Sequence, residues 1–74
     1  LVNVRVRQKT PIADVPEIQA AIGRVEAALA GRGRVLVRYS GTEPLLRIMI
    51  EGPDQASVQA WAEEIAEAVR ATLT

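Results

Sequence analysis

The sequence contains no cysteine and no histidine, and it has one tyrosine, one tryptophan and no phenylalanine. The absence of cysteine excludes a disulfide framework and a thiolate metal site. The absence of histidine removes the commonest general base and the commonest metal ligand. Nine basic and nine acidic side chains give a formal net charge of zero, which argues against strong nonspecific binding to nucleic acid.

Long apolar runs and targeting signals are also missing. No run approaches the length of a membrane span, and no signal peptide is visible, so we expect a cytoplasmic protein without a membrane partner. The 74 residues, 49% of them hydrophobic, suffice for one domain with one modest core. Because the chain opens on Leu1 in the middle of a strand pattern, we expect residues 1–74 to be one domain of a larger protein.

Alternation of apolar and polar residues predicts three strands. Residues 1–7 place valines on one side and polar side chains on the other, as in a half-buried strand. Residues 33–39 and 45–51 also alternate, and 45–51 is apolar at most positions of both faces. We therefore place this last strand at the centre of a sheet with the order 1-3-2.

Apolar residues at spacings of three and four predict two helices. Asp14 is the expected N-cap of the first, with Glu17 completing a capping box, Pro16 in the first turn and Gly31 as the C-cap. Asp54 is the expected cap of the second. Since both helices need an apolar surface to cover, the sequence predicts an α+β two-layer sandwich of order β-α-β-β-α, with a small, mainly antiparallel sheet and both helices on one face.

The loop between the second and third strands is the most informative stretch, reading RYSGTEPLLR from Arg38 to Arg47. We predict that Tyr39 pairs with Pro44, because a slip of one residue would bury Arg47 without a partner. In this register the loop is 40–43, and the two arginines are diagonal neighbours about 7–8 Å apart.

This loop has two interpretations. Ser40 and Thr42 supply hydroxyl donors, Gly41 permits a positive φ that would gather main-chain amides into an anion nest, and the arginines supply bidentate forks suited to phosphate. Against this, serine, glycine, threonine and proline are ordinary turn residues. Glu51, which is on the same face of the strand as Arg47, could also simply neutralise that arginine.

A second functional hypothesis uses the sheet face opposite the helices. Five arginines are expected on it: Arg5, Arg7, Arg34, Arg38 and Arg47. Such a face could serve a free-standing module that binds RNA or a protein, or could dock the rest of the parent protein. RNA readers of this kind stack bases on aromatic side chains, whereas Tyr39 is expected on the other face and Trp61 in the helical core.

No catalytic or metal-binding constellation is visible. Ser40 and Thr42 have no histidine to activate them, Lys9 lies alone in a connector, and no acidic cluster has metal-ligand spacing. The sequence therefore predicts a binding element with no catalytic residue and no metal ligand.

The loop resembles a known motif. RYSGTEPLLR is similar to the phosphate-binding loop of the fourth, C-terminal domain of the α-D-phosphohexomutases, in the form typical of the phosphoglucosamine mutase branch. Relatives acting on mannose or glucose phosphates more often carry asparagine at Gly41. The flanking stretches LVNVRV, PIADVPE, GRVLVR and RIMIEG are similar to that branch too, so the resemblance covers nearly the whole chain.

The resemblance implies a TATA-box-binding-protein-like fold and a part in a larger enzyme. That enzyme interconverts glucosamine 6-phosphate and glucosamine 1-phosphate, on the route to bacterial cell-wall precursors, through a bisphosphorylated sugar, a phosphoserine and bound Mg²⁺. Its last domain grips the phosphate that is not reacting. The implied partners are the phosphosugar and the remaining domains of the parent enzyme.

The resemblance also implies site residues. Arg38, Ser40, Gly41 and Thr42 match phosphate-contacting positions, and Arg47 matches the motif. The phosphoserine, magnesium and sugar-contacting loops belong to earlier domains. This chain alone is therefore expected to have no mutase activity.

Overall fold

Five regular elements and one short turn make up the computed structural model, which describes residues 1–74. In chain order they are β1 (Val2–Arg5), a 3-10 turn (Ile12–Asp14), α1 (Pro16–Leu29), β2 (Arg34–Tyr39), β3 (Leu45–Glu51) and α2 (Gln55–Leu73). The predicted order of strands and helices is confirmed. Neither helix combines the length and the apolar character that crossing a bilayer requires.

The three strands form one antiparallel sheet in the order β1-β3-β2, as predicted. Strand β3 is central because it is apolar on both sides: Leu46 and Ile48 are fully buried on one face, and Leu45 is half-buried on the other. Both helices pack against the face that carries Leu46 and Ile48. The predicted α+β two-layer sandwich is therefore confirmed.

A single core lies between the layers. Fourteen buried apolar residues form one cluster, and its largest members are Ile18, Val25, Leu29, Leu46, Ile48, Ile65 and Val69. Trp61 of α2 is half-buried and packs against this cluster. As predicted, its side chain packs with the core.

The predicted capping box of α1 was wrong. Val15 is the N-cap, with φ −116° and ψ 94°, and no side chain caps the helix. Asp14 lies in the preceding 3-10 turn. The cause is Pro16, the first helical residue, which forces the residue before it into extended backbone and so moves the helix start past Asp14.

The other two caps follow the prediction more closely. At the end of α1 the left-handed cap is Ala30, with φ 50° and ψ 43°, one residue before the predicted Gly31. Arg32 completes this end, because its Nε donates to the Leu29 carbonyl at 3.0 Å. Asp54 caps α2 as predicted, accepting a hydrogen bond from the Ser57 amide at 3.1 Å.

The register between β2 and β3 differs from the predicted one by two residues. Tyr39 pairs with Leu46 and not with Pro44, and Arg38 pairs with Arg47. The prediction rested on keeping Arg47 out of the core. That argument excludes a slip of one residue but not of two, because side-chain direction in a strand repeats every two residues.

Candidate anion-binding loop

The loop from Ser40 to Pro44 turns inward at Ser40. Ser40 is the one buried polar residue of the chain, 7% exposed. Its Oγ accepts hydrogen bonds from the amides of Thr42 at 3.3 Å and Glu43 at 3.2 Å. Its own amide donates to the Leu45 carbonyl at 2.9 Å. These contacts fix the loop from inside, at the junction where β2 ends and β3 begins.

The predicted anion nest at Gly41 was wrong. Gly41 does not have a positive φ, and the amides of Thr42 and Glu43 are directed to the Ser40 hydroxyl. A serine side chain competes in this way for nearby main-chain donors in turns. Pro44 carries no N–H. Of the remaining loop residues, only Gly41 has a main-chain N–H without an acceptor.

Arg38 and Arg47 stand directly opposite each other on neighbouring strands, closer than the predicted diagonal arrangement. None of the ion pairs of the chain includes either residue. Glu51, which the sequence offered as a partner for Arg47, instead binds Arg34, with Nε and Oε1 2.6 Å apart. Like charges directly opposite each other destabilise a sheet, so an anion between the two guanidinium groups would relieve an existing repulsion.

One pocket brings together all of the residues predicted to form the site. It has a volume of about 360 Å³ and is lined by Arg38, Tyr39, Ser40, Gly41, Thr42 and Arg47. The pocket is open to solvent and mainly polar. Its lining includes two guanidinium side chains, the Thr42 side chain and the main chain of Gly41. Guanidinium, hydroxyl and amide groups are all hydrogen-bond donors to an oxyanion such as phosphate.

Sequence reasoning missed the contribution of the connector between β1 and α1. The Lys9 ammonium donates to the Ser40 carbonyl at 2.7 Å, and the Tyr39 hydroxyl donates to the Thr10 carbonyl at 2.5 Å. Burial raises the pKa of the Tyr39 hydroxyl. The predicted strand order contained the signal, because an antiparallel β1 beside β3 brings the residues after β1 next to the loop before β3.

Metal binding finds no support among the side chains of this chain. The chain has no group of three or more aspartate, glutamate, histidine or cysteine residues that could hold a metal ion. The residues present therefore do not fit a magnesium site.

The predicted arginine face exists only in part. Four of its members lie on the strands, on the face away from the helices: Arg5, Arg34, Arg38 and Arg47. Placing Arg7 there was wrong, because β1 ends at Arg5 and Arg7 lines a cavity with the last residues of α2. No aromatic side chain shares this face, since Tyr39 pairs with the buried Leu46, so the face offers no aromatic platform on which RNA bases could stack.

Comparison with known proteins supplies the family. A sequence profile described as "Phosphoglucomutase/phosphomannomutase, C-terminal domain" matches residues 1–68. A phosphoglucosamine mutase of Pelobacter propionicus is 59% identical over 70 residues, covering 95% of this chain and 16% of that protein. A phosphoglucosamine mutase of Geobacter sp. strain M21 is 56% identical over 73 residues, covering 99% of this chain and 16% of that protein.

These relatives are much longer than the chain, which spans about one sixth of their length. A third relative, a phosphoglucosamine mutase of Alkalilimnicola ehrlichii, is 56% identical and matches 100% of this chain and 17% of its own length. The match thus extends over all the strands, both helices and the loop. The chain belongs to the phosphoglucomutase/phosphomannomutase family, of which it is the C-terminal domain.

Proposed function

We propose that this chain is the phosphate-gripping domain of a phosphoglucosamine mutase, the enzyme that interconverts glucosamine 6-phosphate and glucosamine 1-phosphate. In this proposal the loop between β2 and β3 holds the phosphate that is not reacting. The observation that carries it is the unpaired, directly opposed arginine pair, Arg38 and Arg47, in one pocket with Ser40, Gly41 and Thr42.

Charge is the first supporting argument. The chain as a whole is neutral, yet two guanidinium groups are held together without a carboxylate between them. A protein that needed only a stable hairpin would gain from an opposite charge at either position, as it does at the Arg34–Glu51 pair on the same face. A dianionic phosphate supplies the missing negative charge and accepts bidentate hydrogen bonds from both forks.

The chemistry of the pocket also fits a mutase. Such an enzyme must bind its sugar in two orientations, with either phosphate in the non-reacting position. A cradle of guanidinium groups, a hydroxyl and a main-chain amide recognises phosphate and little of the sugar, so it accepts both orientations. Binding energy at this remote phosphate would position the reacting group in the other domains and would favour closure of the domain over the sugar.

The proposal assigns the reaction itself to other parts of the enzyme. The phosphoserine, the Mg²⁺ expected in the full-length enzyme and the sugar-reading residues would come from the preceding domains, and the whole protein would act in the cytoplasm. Residues 1–74 alone would then bind phosphate weakly and turn over no substrate.

Titration of the 74-residue chain with inorganic phosphate, followed by amide NMR, tests the binding role. Shifts centred on Gly41 and Thr42 are expected, and Arg38→Ala should abolish them. Arg38→Lys should weaken binding because it keeps the charge but loses the fork. Arg34→Ala is the matched control on the same strand and face, and it should leave the shifts unchanged.

The same chain distinguishes the alternative function. If the arginine face binds RNA, a single-stranded RNA probe should shift the amide resonances of Arg5 and Arg34. Phosphate should then leave the amide resonances of the loop unchanged. That result would contradict the proposal. In the full-length enzyme, Arg38→Ala should lower kcat/KM by roughly 10- to 100-fold, the loss expected for removing a charged hydrogen-bond donor from a bound phosphate.

A further inference from the structure

We infer that Lys9 is a positioning residue for phosphate binding: its ammonium holds the peptide group between Ser40 and Gly41 so that the Gly41 N–H faces the pocket. This inference rests on the proposed function of the loop. It assigns a role to a residue outside the arginine-containing loop motif.

The first step is the contact itself. The Lys9 ammonium donates to the Ser40 carbonyl at 2.7 Å, across 31 positions of sequence. Lys9 is the only lysine of the chain, and it belongs to none of the ion pairs. Its charge is thus directed at one main-chain oxygen of the loop.

The second step is the geometry of a peptide group. The chain has no cis peptide bond, so the Ser40 carbonyl and the Gly41 N–H point in opposite directions from the same plane. Lys9 is not among the residues that line the pocket, whereas Ser40 and Gly41 are. A carbonyl held toward Lys9 therefore directs the Gly41 N–H toward the pocket side.

The third step is the need for such a restraint. The Gly41 N–H is the one loop donor left without an acceptor. Rotating this peptide group by half a turn would give Gly41 a positive φ, which glycine adopts at no steric cost. The rotated form would present the Ser40 carbonyl to the pocket, where its negative end would repel phosphate. The Lys9 hydrogen bond opposes that rotation, and it also polarises the peptide so that the N–H becomes a better donor.

The connector is itself attached to the base of the loop. The Tyr39 hydroxyl donates to the Thr10 carbonyl at 2.5 Å, and the Val6 amide donates to the Pro44 carbonyl at 2.9 Å. These two contacts hold the connector on both sides of Lys9. The ammonium can therefore act as a fixed support for the peptide group.

The test compares Lys9→Met with Lys9→Arg in phosphate titrations followed by NMR. Lys9→Met should weaken phosphate binding by about tenfold, the loss expected for one hydrogen bond to a charged group. In Lys9→Met at saturating phosphate, the amide resonance of Gly41 should not shift, whereas the Nε–H resonances of Arg38 and Arg47 should still shift. Lys9→Arg should restore the Gly41 shift.

This pattern separates orientation from charge alone. A purely electrostatic role would leave the Gly41 shift of Lys9→Met intact once phosphate is saturating, and that outcome overturns the inference. A second measurement needs no substitution. With phosphate bound to the wild-type chain, the three-bond couplings of the Gly41 amide proton should show that φ of Gly41 is not positive. A positive φ would overturn the inference. If no loop signal of the wild type responds to phosphate, the proposed function fails as well.

Discussion

Gly33 lies against the main chain of Glu51 at the far end of the β2–β3 ribbon. A β-carbon on Gly33 would stand 1.9 Å from the Glu51 carbonyl oxygen and 2.8 Å from its carbonyl carbon. Real side chains essentially never approach so closely. Since the neighbour is backbone, it cannot rotate away, and only a shift of the strand itself would make room.

Gly33→Ala should therefore destabilise the chain by about 1–3 kcal/mol, the usual cost of overpacking. That loss is large for a domain of this size, whose total stability is on the order of 3–5 kcal/mol. Urea unfolding followed by circular dichroism measures it. Gly23→Ala is the control, because a β-carbon there meets nothing within 4 Å and removing a glycine from a helix interior should stabilise by about 0.5–1 kcal/mol.

Asp54→Ala should lower the midpoint of thermal unfolding, because it removes the cap of α2. The hydrogen bonds from Ser57 hold the pKa of the Asp54 carboxyl below its ordinary value of 3.8. A lowered pKa means that the stabilisation is present above 3.8 and is lost as the pH falls through the lower folded value. The difference between wild type and Asp54→Ala should accordingly be constant near neutral pH and shrink below pH 3.8.

Asp14→Ala is the matched control for that experiment. The sequence pattern makes Asp14 look like an equivalent cap, but no side chain caps α1. The midpoint of thermal unfolding of Asp14→Ala should therefore stay close to that of the wild type across the same pH range. A pH-dependent loss equal to that of Asp54→Ala would contradict the cap assignment.

Sequence patterns predicted the layers and the strand order, because these depend on periodicity and on which faces are apolar. The candidate site residues came instead from the chemistry of the loop and its resemblance to a known motif, and the structure places them in one pocket. Sequence patterns could not predict the β2–β3 register, since a shift of two residues keeps every side chain on its face. They also missed Lys9, whose role depends on a contact with Ser40 that only the assembled sheet creates. The inward turn of Ser40 likewise removed two amides that the pattern offered to a ligand.

Arg38→Glu tests the opposed arginine pair through stability. The new carboxylate would face Arg47 across the ladder and replace repulsion by attraction, worth about 0.2–1 kcal/mol. We expect a higher urea midpoint at low salt and no response to phosphate. The free energy of unfolding of the wild type should rise by about 1.4 kcal/mol at a phosphate concentration ten times the Kd for phosphate. A variant that is less stable than the wild type would contradict the repulsion between the two arginines. A variant that phosphate still stabilises would show that the two arginines do not share an anion.

Tyr39→Phe tests the attachment of the connector to the loop. Loss of the hydrogen bond to the Thr10 carbonyl should cost about 1 kcal/mol at neutral pH.

Because burial raises the pKa of the Tyr39 hydroxyl above its ordinary value of 10.0, the folded state holds this proton more tightly than the unfolded chain does. The stability contribution is then complete below pH 10 and is lost as the pH rises through the raised folded value. Denaturant titrations between pH 8 and 11 should show the wild type losing more stability than Tyr39→Phe over the last unit, so that the two curves converge. Parallel curves would mean that the hydroxyl titrates as it does in the unfolded chain, which would contradict the burial of Tyr39. Equal stability of the two proteins at neutral pH would contradict its contact with Thr10.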